Sequence, residues 1–140
     1  MLTSRRTVLI EWGDCDPADI VFYPNYFRWF DASTAAHFRS AGLPKPKLVT
    51  DYNVVGFPMV DTRARFLVPS RYGDEVVIET RIAAFGRSSF EVEHRLMRGD
   101  VLAVEGFEKR VLVAKSADGA GLKSVPVPED IRALFTGDDT

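Results

Sequence analysis

The residues best equipped for chemistry stand together near the start of the chain, where residues 13–26 read GDCDPADIVFYPNY. Asp14 and Asp16 flank Cys15, Pro17 follows Asp16, and Pro24 follows Tyr23. A carboxylate fixed beside a proline can attack a carbonyl or activate water, provided hydrogen-bond donors face the oxygen on which negative charge grows. Such donors are the free N–H groups at the start of a helix, where the dipole also favours an anion, and Pro24 suits a first helical turn. The same residues have a plainer reading, because an aspartate before proline is a common turn-former whose side chain bonds nearby backbone. Spacing by itself leaves both readings of Asp16 open and favours the turn. Asp14 reads as a turn or capping residue. Cys15 reads as a small buried side chain, with no adjacent base to activate it.

Around this segment the pattern divides into one helix and several strands. Residues 7–12, TVLIEW, are β-branched and apolar and predict a first strand. From Pro24 the period becomes helical: Phe27, Phe30, Thr34, Phe38 and Ala41 recur every three or four residues, and Gly42 then Pro44 supply a stop. A loop rich in Pro, Lys and Gly follows. Alternation then predicts strands over residues 60–68, 75–84, 90–96 and 101–114. Gly73, Gly86 and Gly99 mark the turns between them. A short helix opens at Pro128, with Ile131, Leu134 and Phe135 inward, before the tail TGDDT, expected to fray. The layout is α+β, a long helix followed by an antiparallel meander that wraps it. Aromatics on more than one side of that helix exceed what one thin sheet covers, so a second subunit is expected.

Length and composition narrow the options. A chain of 140 residues, 46% hydrophobic and 27% charged, predicts a single domain over 1–140 with its own core. A net charge of -2 gives no general electrostatic reason to bind nucleic acid or an anionic membrane. One cysteine forms no internal disulfide, and no apolar run approaches the ~20 residues that span a bilayer. A cytoplasmic location is the expectation. No metal is expected either, since His37 and His94 lie far apart and Cys15 has no partner at a ligand spacing.

The run EWGDCDPADIVFYPNYFRWFDAS, with GLP after the helix and GFPMV before the strands, resembles the hotdog-fold acyl-CoA thioesterases, above all the 4-hydroxybenzoyl-CoA thioesterase family. The likeness covers nearly the whole chain and is densest over its first third. It implies a hotdog fold with one long central helix wrapped by an antiparallel β-sheet. It also implies hydrolysis of an aromatic acyl-CoA, with no cofactor beyond the coenzyme A of the substrate. By that resemblance Asp16 matches the catalytic carboxylate, and the Tyr23 N–H matches the donor that polarises the thioester carbonyl. Asp31 matches an aspartate near the far end of the acyl pocket, which accepts a hydrogen bond from the ring hydroxyl across a dimer interface. From the residues alone, Asp31 is equally an exposed helix aspartate pairing with Arg28 three residues earlier.

Three positions depart from the family pattern. Asp19 stands where glycine is usual. Phe57 replaces a threonine near the reacting centre. The basic cluster that meets the coenzyme A phosphates is reduced to Arg87 in FGRSSF. Arg87 is the expected phosphate ligand, with Arg63, Arg65, Arg71, Lys109 or Arg110 as alternatives. A homodimer at least, and a homotetramer by resemblance, is the expected assembly. The competing functions are a short-chain aliphatic acyl-CoA thioesterase and a non-catalytic acyl-CoA-binding module.

Overall fold

The computed structural model describes residues 1–137; the last three residues of the tail, 138–140, lie outside the described residues. Five antiparallel strands form one sheet in the order β1-β3-β4-β5-β2, from β1 (Thr3–Leu9), β2 (Met59–Phe66), β3 (Glu75–Phe85), β4 (Ser89–Arg98) and β5 (Val101–Val111). The alternation read from the sequence sets the faces. On β4 the side chains of Phe90, Val92, His94 and Leu96 are buried, while Glu91, Glu93 and Arg95 point away. Register is pinned by the two-residue turn at Gly99-Asp100, where Gly99 takes φ +58, a conformation that costs glycine little.

The long helix α1 (Pro24–Ser40) lies across this face and buries Tyr26, Trp29, Phe30, Ser33, Thr34, His37 and Phe38. Phe30 stacks on His94 with ring centroids 4.7 Å apart and sits directly over Gly106 of β5, where an added Cβ would come within 2.6 Å of its ring. Glycine there is a packing requirement. Arg6 of β1 ties the helix down, donating to Ser33 Oγ and to the Trp29 carbonyl.

The core beneath α1 falls into two apolar clusters. One gathers Phe38, Leu48, Ile82, Phe90, Val92, Leu112, Ile131 and Phe135; the other gathers Tyr26, Trp29, Phe30, Ile78, Leu96 and Val104. On every element between them the inward position is polar: Thr34 on α1, Thr80 on β3, His94 on β4 and Glu108 on β5. A buried polar layer therefore crosses the core.

Several elements differ from the sequence reading. The first strand begins at Thr3 and ends at Leu9, because residues 12–14 form a single 3-10 turn instead. The loop after α1 contains a helix, α2 (Lys45–Tyr52), which buries Leu48 and ends at Asn53 in the left-handed region. Its Pro, Lys and Gly content hid it, although proline is at home in a first turn. The predicted strand 101–114 breaks at Leu112; β6 (Val113–Lys115) leaves the sheet and pairs with β7 (Leu122–Ser124). The C-terminal helix α3 (Glu129–Thr136) buries Ile131 and Phe135 as expected, but Leu134 is exposed. The alternation of β2 predicts a half-buried strand; lying at one edge of the sheet, it is exposed on both faces apart from Ala64, which is half-buried.

Candidate active site

Asp14 holds together the loop between β1 and α1. Its Oδ2 accepts from the Glu11 N–H at 2.9 Å and its Oδ1 from Arg28, while its carbonyl takes the Phe22 N–H and the Asn25 side-chain amide. The Arg28 expected for Asp31 thus belongs to Asp14, which is the turn and capping residue anticipated. Cys15 bridges Val21, and the Val21 N–H reaches the Ser70 carbonyl, so the loop is closed on itself and fastened to the segment between β2 and β3. Cys15 is half-buried and its thiol points at the Glu11 carbonyl.

Asp16 occupies the tip of that closed loop. Its N–H donates to the Ile20 carbonyl, its carbonyl accepts the Asp19 N–H, and its Oδ1 accepts the Ala18 N–H at 2.8 Å. The turn-forming reading is therefore correct as geometry, yet it consumes only one carboxylate oxygen. Oδ2 accepts no bond among the described residues. Asp19 adopts φ +64, so aspartate takes up the left-handed turn that glycine would hold most easily. Asp16, Cys15, Pro17 and Asp19 line an open groove of about 710 Å³ together with Arg71 and the exposed rings of Trp12 and Tyr72.

The chain reaches α1 seven residues after Asp16. Tyr23 is its N-cap and Pro24 its first helical residue; the Asn25 and Tyr26 N–H groups turn back to Phe22 and Tyr23. The Tyr23 N–H is bonded to no acceptor among the described residues, which leaves a donor at the positive end of a 17-residue helix.

Asp31 and Phe57 line a different pocket, of about 340 Å³, with Phe38, Lys45, Pro58 and Arg110 among its walls. The two cavities share no residue. Asp31 pairs with Arg110, whose terminal nitrogen donates to Asp31 Oδ1 at 2.7 Å. Phe57 stacks on Phe38 with centroids 4.5 Å apart, and its carbonyl accepts from Arg110 at 3.3 Å. Phe57 is thus placed with Asp31 and apart from Asp16. Arg87 follows β3 in an exposed turn, whereas the Asp16 loop is fastened at the other end of that strand, where Ile10 N–H meets Asp74. Eleven residues of strand separate those ends, roughly 35 Å.

A family model described as the Thioesterase superfamily matches residues 18–105. The chain belongs to the thioesterase superfamily. It is 41% identical over 127 residues to the 4-hydroxybenzoyl-CoA thioesterase of Pseudomonas sp. (strain CBS-3), covering 86% of this chain and 89% of that one. Its fold is similar to the crystal structure of an aspartate-to-asparagine mutant of 4-hydroxybenzoyl-CoA thioesterase complexed with 4-hydroxybenzoyl-CoA, with TM-score 0.88, 36% identity, and coverage of 96% and 99% of the two chains. A gentisyl-coenzyme A thioesterase superposes with TM-score 0.80 at 30% identity, covering 96% of this chain and 100% of that one. This thioesterase is therefore a hotdog-fold acyl-CoA thioester hydrolase.

What sequence reasoning did not assemble in this thioesterase is the polar layer behind Asp31. Glu108 accepts from Arg110 Nε at 2.8 Å and from Thr34 at 2.7 Å, and lies 3.0 Å from His94 Nε2. The other His94 nitrogen lies 2.8 Å from Thr80 Oγ1. Burial alone would raise the Glu108 pKa, but the His94 and Arg110 interactions outweigh it and hold it below the ordinary glutamate value. Burial likewise works against the Arg110 charge, while Glu108 and Asp31 overcome it and raise the guanidinium pKa. The available signal was parity: the inward positions 104 and 106 of β5, and 112 just beyond it, are apolar or glycine, and Glu108 and Arg110 carry charge at the same parity. Charge facing a core demands a partner.

Proposed function

We propose that this thioesterase hydrolyses an aromatic acyl-CoA of the 4-hydroxybenzoyl kind to the free acid and coenzyme A, with Asp16 as nucleophile or general base. The observation that carries the proposal is the free second oxygen of Asp16, held on a hydrogen-bonded loop shortly before the N-terminus of α1. In this reading the Tyr23 N–H and the helix dipole polarise the thioester carbonyl. Asp16 either attacks the carbonyl carbon or takes a proton from the water that does. The carbon–sulfur bond breaks and coenzyme A leaves as the thiolate and is protonated; on the nucleophilic route water then hydrolyses the anhydride between the acyl group and Asp16, and on either route the free acid is released and the Asp16 carboxylate restored. No bound cofactor enters these steps.

The site is proposed to lie between two copies of the chain. Asp16 and the pocket holding Asp31 and Phe57 are separate cavities, and Arg87 lies at the far end of β3 from Asp16. An antiparallel pair of subunits, two such pairs making a tetramer, would set one chain's Asp16 loop against the other's aromatic pocket and Arg87 turn. The exposed edge strand β2 leaves room for such pairing. Asp31 would then accept the ring hydroxyl of the substrate, with Phe57 and Phe38 flanking the ring. No helix among the described residues is long and apolar enough to cross a membrane, in keeping with the cytoplasmic location we propose.

The test is thiol release from 4-hydroxybenzoyl-, benzoyl-, phenylacetyl- and short aliphatic acyl-CoA, with wild type beside Asp16→Asn. Release that prefers an aromatic ester and collapses in the variant supports the reading. A preference for short aliphatic esters would replace the substrate class, and a near-normal rate in the variant would remove Asp16 from the chemistry.

A further inference from the structure

We propose that Arg110 is the positioning residue of the acyl pocket: braced by buried Glu108, it holds the Asp31 carboxylate and the Phe57 carbonyl in the geometry that selects a ring hydroxyl. The inference rests on the reading of Asp31 as the hydroxyl acceptor and adds what makes that acceptor selective.

Asp31 alone is poorly suited to discrimination. Its side chain is 68% exposed on the outer flank of α1, where a short carboxylate can turn between rotamers and bond water. Arg110 is only 7% exposed and reaches it from the sheet. The guanidinium is a planar fork, so fixing one nitrogen fixes the direction of the others. Here Nε is fixed on Glu108 at 2.8 Å, one terminal nitrogen meets Asp31 at 2.7 Å, and the other meets the Phe57 carbonyl at 3.3 Å. The same group lies 5.5 Å from the centre of the Phe57 ring. One side chain thereby couples β5, α1 and the segment before β2, three elements that contribute walls to this pocket.

The brace is itself buried and hydrogen-bonded. Glu108 is 1% exposed and is held by Thr34 and His94, and His94 by Thr80, so the chain of contacts runs from the centre of the sheet to the pocket without a solvated link. Asp31 Oδ1 is occupied by Arg110, and Oδ2 accepts no bond among the described residues. A single acceptor of fixed direction on a wall flanked by Phe38 and Phe57 suits a hydroxyl at the distal edge of an aromatic ring. A ring lacking the hydroxyl leaves that acceptor unpaired, which is the arrangement that discriminates strongly.

The experiment measures KM and kcat for 4-hydroxybenzoyl-CoA and benzoyl-CoA in wild type, Asp31→Ala, Arg110→Lys and Glu108→Gln, with thermal melting of each. Lysine keeps the charge but lacks the fork. The expected result is that Arg110→Lys shifts the ratio of the two KM values about tenfold against the hydroxylated ester, in the direction of Asp31→Ala, while kcat moves far less. Glu108→Gln, which retains Arg110 and loosens its brace, should shift the ratio the same way by a smaller factor, and it serves where Arg110→Lys fails to fold. A selective effect of Asp31→Ala with equal losses on both esters from Arg110→Lys and Glu108→Gln overturns the positioning role and leaves the Asp31 reading standing. A non-selective Asp31→Ala overturns that reading and this inference with it.

Discussion

The Ala18 N–H donates to Asp16 Oδ1 at 2.8 Å, so one oxygen of this carboxylate builds the loop, and the other accepts no bond among the described residues. Asparagine keeps the oxygen that the loop needs and loses the negative charge. Asp16→Asn should therefore melt within about 1 °C of wild type, since only an exposed atom changes. Its turnover should fall by about two to four orders of magnitude, the contribution usual for a positioned base or nucleophile. Steady-state thiol release and thermal melting on the same preparation check both halves.

Cations at the two ends of β3 separate the possible coenzyme A contacts. Arg71 lines the Asp16 groove, with its guanidinium on the Asp19 carbonyl at 3.3 Å, and Arg87 stands in the far turn. If the site spans two antiparallel chains, the far turn of one lies beside the Asp16 loop of the other. Arg87→Ala should then raise KM about tenfold with little change in kcat, as loss of one charged phosphate contact does. Arg71→Ala with the larger KM effect would instead assign the phosphates to the cation in the Asp16 groove. Kinetics of the two variants side by side decide between them.

Glu108 makes stability depend on acid. Its folded-state pKa lies below the ordinary value of 4.5, because the His94 and Arg110 contacts overcome the cost of burial. A carboxylate depressed in this way contributes stability above its unfolded value and loses it as pH falls through the folded value. Chemical denaturation should therefore show stability declining below about pH 4.5. Glu108→Gln should flatten that acid limb and lower stability at neutral pH by about 1–3 kcal/mol, since the buried Arg110 loses one of its two charged partners and keeps only Asp31.

Phe30 and Gly106 supply a test of packing alone. Alanine at 106 places a methyl within 2.6 Å of the Phe30 ring, and the ring is already stacked on His94. Gly106→Ala should cost roughly 1–3 kcal/mol as overpacking, a fall of several degrees in Tm. Phe30→Leu in the same background should recover part of the loss, read by differential scanning calorimetry.

Much of this was legible because the governing signals are local. The period-two runs of β3 and β4, Pro24 at the start of α1 and the glycine turns act within a few residues, and each element formed where they predict. Misreadings occurred where a distant contact overrides the local signal. The α2 segment is helical because Leu48 reaches the core beside Phe38, and the alternating run read through residue 114 breaks at Leu112 because β6 finds a partner in β7. Strand β2 reads as half-buried, yet it lies at the sheet edge.

The sequence by itself determined the local features: the loop around Asp16, the helix start at Tyr23 and Pro24, and the inward parity of the sheet are properties of residue type and spacing, and the resemblance that this loop carries is what singles out Asp16 and Tyr23 for the proposed chemistry. Only the tertiary structure decided their company. It assigned Arg28 to Asp14 and Arg110 to Asp31, put Asp16 and Phe57 in separate cavities, and joined Thr80, His94 and Glu108 through the core. Those outcomes depend on strand order and on where α1 crosses the sheet, which bring together side chains up to 79 residues apart. No local pattern encodes a meeting at that separation, because the energy that enforces it comes from packing the whole sheet beneath one helix.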